Sequence, residues 1–121
     1  MIAAGPATRV FLVSGATDMR KGFDGLAALV RSRLGEEPLS GHLFAFANAS
    51  RTRMKILFWD GSGLWVCSKR LERSRFHWPP LEGVDGKRSK IRLSAAELSM
   101  LLGGLDFSHA QKRDWWRREE C

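Results

Sequence analysis

The chain has 121 residues, 44% hydrophobic and 27% charged, and carries a formal net charge of +7. That length accommodates one domain but not two independent cores, and the balance of apolar and charged side chains excludes a disordered chain. No cationic start leads into a long apolar run, so neither a signal peptide nor a membrane span is expected.

Residues 1–8 read as a loose arm, and Arg9-Val10-Phe11-Leu12-Val13 as a short strand ended by Ser14-Gly15. Thr17-Asp18 can cap a helix. From Met19 to Leu34 apolar residues recur at Phe23, Leu26, Ala27, Val30 and Leu34, the spacing of an amphipathic helix. Gly22 and Gly25 weaken its first turn, so its regular part is expected from Phe23; Gly35 stops it and Pro38 prevents resumption. His42 to Phe46 alternates like a strand, and Asn48-Ala49-Ser50 makes a turn. Arg53–Trp59 and Leu64–Arg70 flank Asp60-Gly61-Ser62-Gly63, a strong hairpin signal. Arg73–Trp78 alternates again until Pro79-Pro80, residues 81–87 read as loop, and Arg88–Leu93 as another short strand. Ser94-Ala95-Ala96-Glu97 is a capping box whose helix continues through Leu98, Met100, Leu101 and Leu102 to Gly103-Gly104.

These elements predict an α+β fold: an antiparallel sheet of about five strands, with one helix near each end packed on one face. Residues 1–107 form the single domain, and 108–121 a basic tail containing Trp115 and Trp116. If Arg53 pairs with Arg70 and Trp59 with Leu64, then Met54, Ile56, Phe58, Trp65 and Cys67 share a core face. Arg53, Lys55, Leu57, Trp59, Leu64, Val66, Ser68 and Arg70 fall on the other, and a one-residue slip would exchange the two sets.

The charge is localised. Residues 51–92 carry 11 basic and 4 acidic side chains, whereas 1–50 carry 5 and 4, and 93–121 carry 4 and 5. The whole excess therefore lies in the middle third, and fourteen of the twenty basic residues are Arg, which suits phosphate. Three triplets alternate along predicted strands: Arg51, Arg53 and Lys55; Arg73, Arg75 and His77; Arg88, Lys90 and Arg92. Period-2 spacing places each triplet on one face of its strand, where it can follow a phosphate backbone. The competing reading is that exposed strands carry charge for solubility and to block edge pairing. Three triplets of one sign favour a polyanion, with Lys69, Arg70 and Trp59 adjoining. Trp65 and Trp78 are expected in the core; Trp115 and Trp116, flanked by Arg, suit docking to a protein or nucleic acid.

Catalysis finds little support. The thirteen carboxylates are scattered, Asp60 reads as a turn residue and Asp18 as a helix cap, and His42, His77 and His109 lack ligand spacing. Asp60-Gly61-Ser62-Gly63-Leu64 is not a nucleophile elbow. Cys67 and Cys121 make neither a disulfide framework nor a metal quartet and suit a reducing cytosol. Neither catalytic residues nor a metal or cofactor is expected. Arg20 and Lys21 at a helix entry oppose the helix dipole, as in an anion-binding corner or as solvated charges.

Thr17-Asp18-Met19-Arg20-Lys21-Gly22-Phe23-Asp24-Gly25-Leu26, Gly41-His42-Leu43-Phe44, Arg53 through Leu64, Lys69-Arg70-Leu71-Glu72 and Arg75-Phe76-His77-Trp78-Pro79 together resemble the TnpB-type accessory protein of bacterial insertion-sequence family sixty-six. The likeness runs from about residue 5 to 107, and Leu101-Leu102-Gly103-Gly104-Leu105-Asp106 fits its closing pattern. The resemblance implies a part in DNA transposition beside a separate transposase; it supplies no mechanism, and no catalytic residues carry over from it. The expected function is a non-enzymatic, cytoplasmic, nucleoid-associated factor of the element. Its expected partners are DNA, at the element ends or generally, and the transposase, with no membrane and with homo-oligomerisation open. The expected DNA contacts are Arg51, Arg53, Lys55, Trp59, Lys69, Arg70, Arg73, Arg75, Arg88, Lys90 and Arg92. The alternative is an adaptor that assembles the transposase complex without strong DNA binding of its own.

Overall fold

A computed structural model describes residues 8–78 and 90–103. Its centre is two strands built on unbroken apolar runs, Val10–Val13 and Leu43–Ala47. In β1 (Val10–Ala16) the first five residues are buried, and in β2 (Leu43–Ala47) all five are. Continuous apolar runs of this kind belong to strands covered on both faces, the usual condition of parallel pairs. Accordingly β1 and β2 run parallel, with Val10 beside Leu43 and Leu12 beside Ala45. A parallel pair needs a crossover between its strands. Helix α1 (Phe23–Leu29), which continues as a π-helical turn from Val30 to Leu34, lies in that crossover.

The remaining strands extend this pair on either side. β3 (Arg53–Trp59) runs antiparallel to β2, β4 (Leu64–Arg70) antiparallel to β3, and β5 (Lys90–Leu93) antiparallel to β1. The sheet order is β4-β3-β2-β1-β5. The sheet is therefore mixed, not antiparallel throughout as the sequence suggested. The helical crossover between two fully buried runs accounts for the difference. The hairpin register is the expected one, Arg53 opposite Arg70 through to Trp59 opposite Leu64.

Successive strand residues point to opposite faces, and they sort into two cores. On one side Phe11, Val13, Phe44, Phe46 and Leu57 pack with Leu26, Ala27 and Val30 and with Leu34, all from the crossover. On the other, Val10, Leu12, Leu43, Ala45, Met54 and Ile56 pack with Leu98 and Leu101 of α2 (Ala95–Leu102) and with Phe76 and Trp78. The two helices thus serve opposite faces rather than one, because both faces of β1 and β2 are apolar and each needs a cover.

The helix ends follow local rules with one exception. Ser94 and Glu97 close the expected capping box, Glu97 N donating to Ser94 Oγ at 3.1 Å and Ser94 N to Glu97 Oε1 at 2.9 Å. Gly35 stops the first helix with a left-handed φ of 66°. Helix α1 starts at Phe23 as expected, but its N-cap is Gly22 and no side chain caps it. Asp18 instead bonds Arg20, two residues on, so it shapes the approach to the helix rather than the helix end.

Residues 73–78 do not form the expected strand. The chain turns at Ser74, whose φ is 64°, and backbone bonds from Leu71 N to Thr52 O (2.8 Å) and Phe76 N to Arg51 O (2.7 Å) tie it to the foot of β3. The alternation survives without a strand. Phe76 and Trp78 are buried, while Arg75 and His77 are exposed. Trp78 Nε1 donates to Val13 O at 2.9 Å, bridging this segment to β1. Residues 79–89 and 104–121, with the expected loop, Arg88 and the Trp115-Trp116 tail, lie outside the described residues.

Trp78→Phe keeps an aromatic ring but leaves the buried Val13 carbonyl without its donor. The expected cost is about 1–3 kcal/mol, read as a lower urea midpoint at unchanged slope.

Candidate nucleic-acid interface

The β3–β4 hairpin is closed by one carboxylate. Asp60 Oδ1 accepts from Ser62 N (2.8 Å), Gly63 N (2.9 Å) and Ser62 Oγ (3.1 Å), while Oδ2 accepts from Trp65 Nε1 at 2.7 Å. The indole N–H, followed by the two backbone N–H groups, holds the Asp60 carboxyl well below the usual carboxylate range. Gly61 supplies the positive φ, 102°, that the turn requires. The bond to Asp60 also fixes Trp65, which stacks on Phe58 at a centroid distance of 6.0 Å and stays 51% exposed. Strand alternation alone places Trp65 in the core. It stands outside because β4 is an edge strand with no neighbour beyond it among the described residues.

At the other end of the hairpin, cations gather on the α1 face. Arg53 lies directly opposite Arg70, and Lys55 opposite Ser68. Lys55 Nζ donates to the Lys21 carbonyl at 2.9 Å, pinning the loop before α1 against β3. Between this loop and the strands lies an open groove of about 600 Å³, lined by Met19, Arg53, Lys55, Ser68 and Arg70 among others, with Glu72 at its rim. Like charges directly opposite on neighbouring strands destabilise a sheet. Glu72 relieves Arg70 through a 3.1 Å ion pair, but among the described residues no carboxylate pairs with Arg53 or Lys55. Next door, the Arg20 guanidinium forks onto Asp18, with Nη2 to Oδ2 at 2.8 Å. That hydrogen bond holds the Asp18 carboxyl far below its ordinary range. The acid at the loop is thereby spent on Arg20, and the groove stays cationic.

The other expected contact residues scatter. Lys69 lies on the α2 face, opposite Met54, and its Nζ donates to Leu102 O at 2.8 Å, where a cation suits the negative end of a helix. Arg51, with φ 62°, sends Nη1 toward Trp78 O at 3.4 Å and bonds Asn48 and Phe76 through its backbone, so it braces the foot of the hairpin. Arg73 and Arg75 are exposed on the irregular segment beside that foot. Arg92 is exposed opposite Phe11, which places it on the α1 face, and Lys90 takes the position opposite Val13. Both belong to β5, at the far edge of the sheet from β4, with α1 packed between. Trp59 is half-buried opposite Leu64 at the turn end. Among the described residues the alternating triplets therefore form no single patch. Arg53 and Lys55 share the α1 face with the Lys90 and Arg92 positions but toward opposite edges of the sheet, and Arg73 and Arg75 stand on the irregular segment. Arg53, Lys55 and Arg70 come together; the part of the Met19–Lys21 loop in closing their groove was not legible from charge spacing. The unfavourable Arg20-Lys21 pair at the helix entry was the signal.

Among the described residues, no group of three His, Cys, Asp or Glu side chains is placed to hold a metal ion, and no helix is long and apolar enough to cross a membrane.

Comparison with known proteins gives the same setting for this geometry. The model of the family described as IS66 Orf2 like protein matches residues 8–112. An uncharacterized protein of Sinorhizobium fredii, y4hO, is 42% identical over 117 residues, covering 97% of this chain and 96% of its own length. A second from the same organism, y4jC, is 34% identical over 113 residues, covering 93% and 92%. No solved structure matches the chain.

The Asp60 network carries a pH signature. A carboxyl depressed in the folded state stabilises the protein above its unfolded value, near 4, and loses that contribution as pH falls toward its folded value. Asp60→Asn should therefore lower the melting temperature at pH 7 and converge on the parent protein as the solution is acidified below about pH 4. A gap that stays constant with pH would show that the charge of Asp60 does not matter.

Proposed function

The chain belongs to the family of IS66 Orf2-like proteins, and we propose that it serves insertion-sequence transposition as a non-catalytic accessory factor that grips DNA through the Arg53–Lys55–Arg70 groove. The observation that carries this reading is the cross-strand Arg53–Arg70 pair beside Lys55, with one carboxylate, Glu72, in reach of the cluster. Two guanidinium groups opposed on a sheet repel each other, and a phosphate diester between them removes that penalty by accepting from both. The cations of this groove suit contacts to backbone phosphates, which position a protein on DNA. The transposase of the same element is the expected second partner.

An adaptor with little DNA affinity of its own is the competing reading. It is favoured by Trp65, half exposed on the opposite face of the hairpin.

Arg53→Ala combined with Arg70→Ala should weaken binding to duplex DNA about a hundredfold, taking each charge-assisted contact at roughly 1.5 kcal/mol. It should also lower the slope of log affinity against log salt by about two. Arg92→Ala, at the far edge, should change either quantity by much less. Gel shifts on element-end and random DNA, with and without transposase, check this. Binding that appears only with transposase, or an unchanged salt slope in the double variant, favours the adaptor.

A further inference from the structure

The two edges of the sheet are unlike. β5 (Lys90–Leu93) carries Lys90 and Arg92, charges of the kind that discourage pairing. β4 is seven residues long, and its register with β3 is unbroken from Leu64 to Arg70. It contains no proline and no bulge, and its first four residues are Leu64, Trp65, Val66 and Cys67. Among the described residues nothing pairs with its outer side. A long, regular, half-apolar edge is what soluble proteins ordinarily cover.

The direction of its backbone groups is set by the bonds it already makes. Leu71 N donates to Thr52 O, and Asp60 N to Gly63 O, so the odd-numbered residues of β4 turn their N–H and C=O toward β3. Leu64, Val66, Ser68 and Arg70 therefore turn theirs outward. This set is symmetric about Cys67.

We propose that β4 pairs antiparallel with β4 of a second copy, about a two-fold axis through Cys67, forming one continuous sheet. In that register Val66 faces Ser68 and Leu64 faces Arg70 of the other copy. Every outward N–H and C=O then finds a partner, as four hydrogen-bonded pairs. Between them sit the non-hydrogen-bonded pairs, whose side chains lie closest. There Trp65, 51% exposed in the single chain, meets the aliphatic stem of Lys69 of the other copy, whose ammonium stays on the Leu102 carbonyl. Cys67 meets Cys67. The cations of the two copies are staggered rather than opposed, which is why a copy of this basic strand can be its own partner. A two-fold axis normal to the sheet keeps both α1 faces on one side. The two Arg70 positions then lie roughly 20 Å apart, six residues along the strand. Neither the pairing nor the placing of two basic grooves on one face rests on DNA binding; that the paired grooves hold one DNA does rest on the proposed function.

The test needs no DNA. Sedimentation equilibrium of the full chain should give a dimer of about 27 kDa, twice 13.6 kDa. In a Cys121→Ser background, mild oxidation should join two chains through Cys67, because directly opposed non-hydrogen-bonded positions lie within disulfide reach. Ser68→Pro removes one outward N–H at an exposed edge position that a folded monomer can accommodate. It should yield a monomer with an unchanged circular dichroism spectrum, and no Cys67 cross-link. A parent chain that is monomeric at every concentration, or a dimer that survives Ser68→Pro, overturns the proposal. Loss of DNA binding in an Arg53→Ala protein, whose change lies on β3 and not on the pairing edge, would leave these readouts as they are.

Discussion

The rest of the molecule depends on the burial of β1 and β2 on both faces. Val10, Leu12, Leu43 and Ala45 point one way, and Phe11, Val13, Phe44 and Phe46 the other; all are at most 4% exposed. Fully burying one such side chain is worth about 1.5–3 kcal/mol, so neither face can be left to water. That requirement recruits α1 and the Leu34 turn to one side, and α2 with Phe76 and Trp78 to the other. It also decides what remains available for contact. Among the described residues the centre of the sheet is sealed, and its edges, its ends and the hairpin beyond the helices face solvent.

The β3–β4 hairpin is that remainder, and its two ends are built differently. The turn end is closed on itself, because Asp60 satisfies the turn amides and the Trp65 indole with one carboxylate. The open end keeps an electrostatic imbalance. Arg53 faces Arg70, Lys55 is engaged by a neutral carbonyl rather than by an acid, and Asp18 is committed to Arg20. The opposed Arg pair adds nothing to the core, and like charges directly opposite on neighbouring strands cost stability. The chain belongs to the IS66 Orf2-like family, and the proposed DNA grip is what would put this imbalance to use.

Local signals in the sequence translated well. The hairpin register followed from Asp60-Gly61-Ser62-Gly63 between two strand-like runs, the capping box from Ser94 and Glu97, and the helix stop from Gly35. The failures concern what lies between elements. Arg73–Trp78 alternates as a strand does, yet its backbone bonds return to Thr52 and Arg51 rather than to a ladder, and periodicity reports side-chain burial without reporting pairing. The parallel β1–β2 pair was hidden because His42–Phe46 reads as alternating, whereas Leu43–Ala47 is buried at every position, the mark of a strand covered on both faces. The charge triplets erred too. Period-2 spacing puts residues on one face of one strand, but the order of strands set Arg92 at the far edge from Arg53, and the twofold alternation sent Lys69 to the carbonyl of Leu102. Trp65 was misplaced because an edge position cannot be read from a strand's own residues.

The central claim is that the open end of the hairpin, on the α1 face, is where DNA is held. Titrating duplex DNA into isotope-labelled protein and following backbone amides and arginine Nε–H groups by NMR tests it most directly. The account predicts shifts concentrated at Arg53, Lys55, Ser68, Arg70 and the Met19–Lys21 loop, fading as salt is raised, with Ser94 to Leu102 undisturbed. Shifts centred on Trp65 and α2, or none at the Arg53–Arg70 pair, would contradict it.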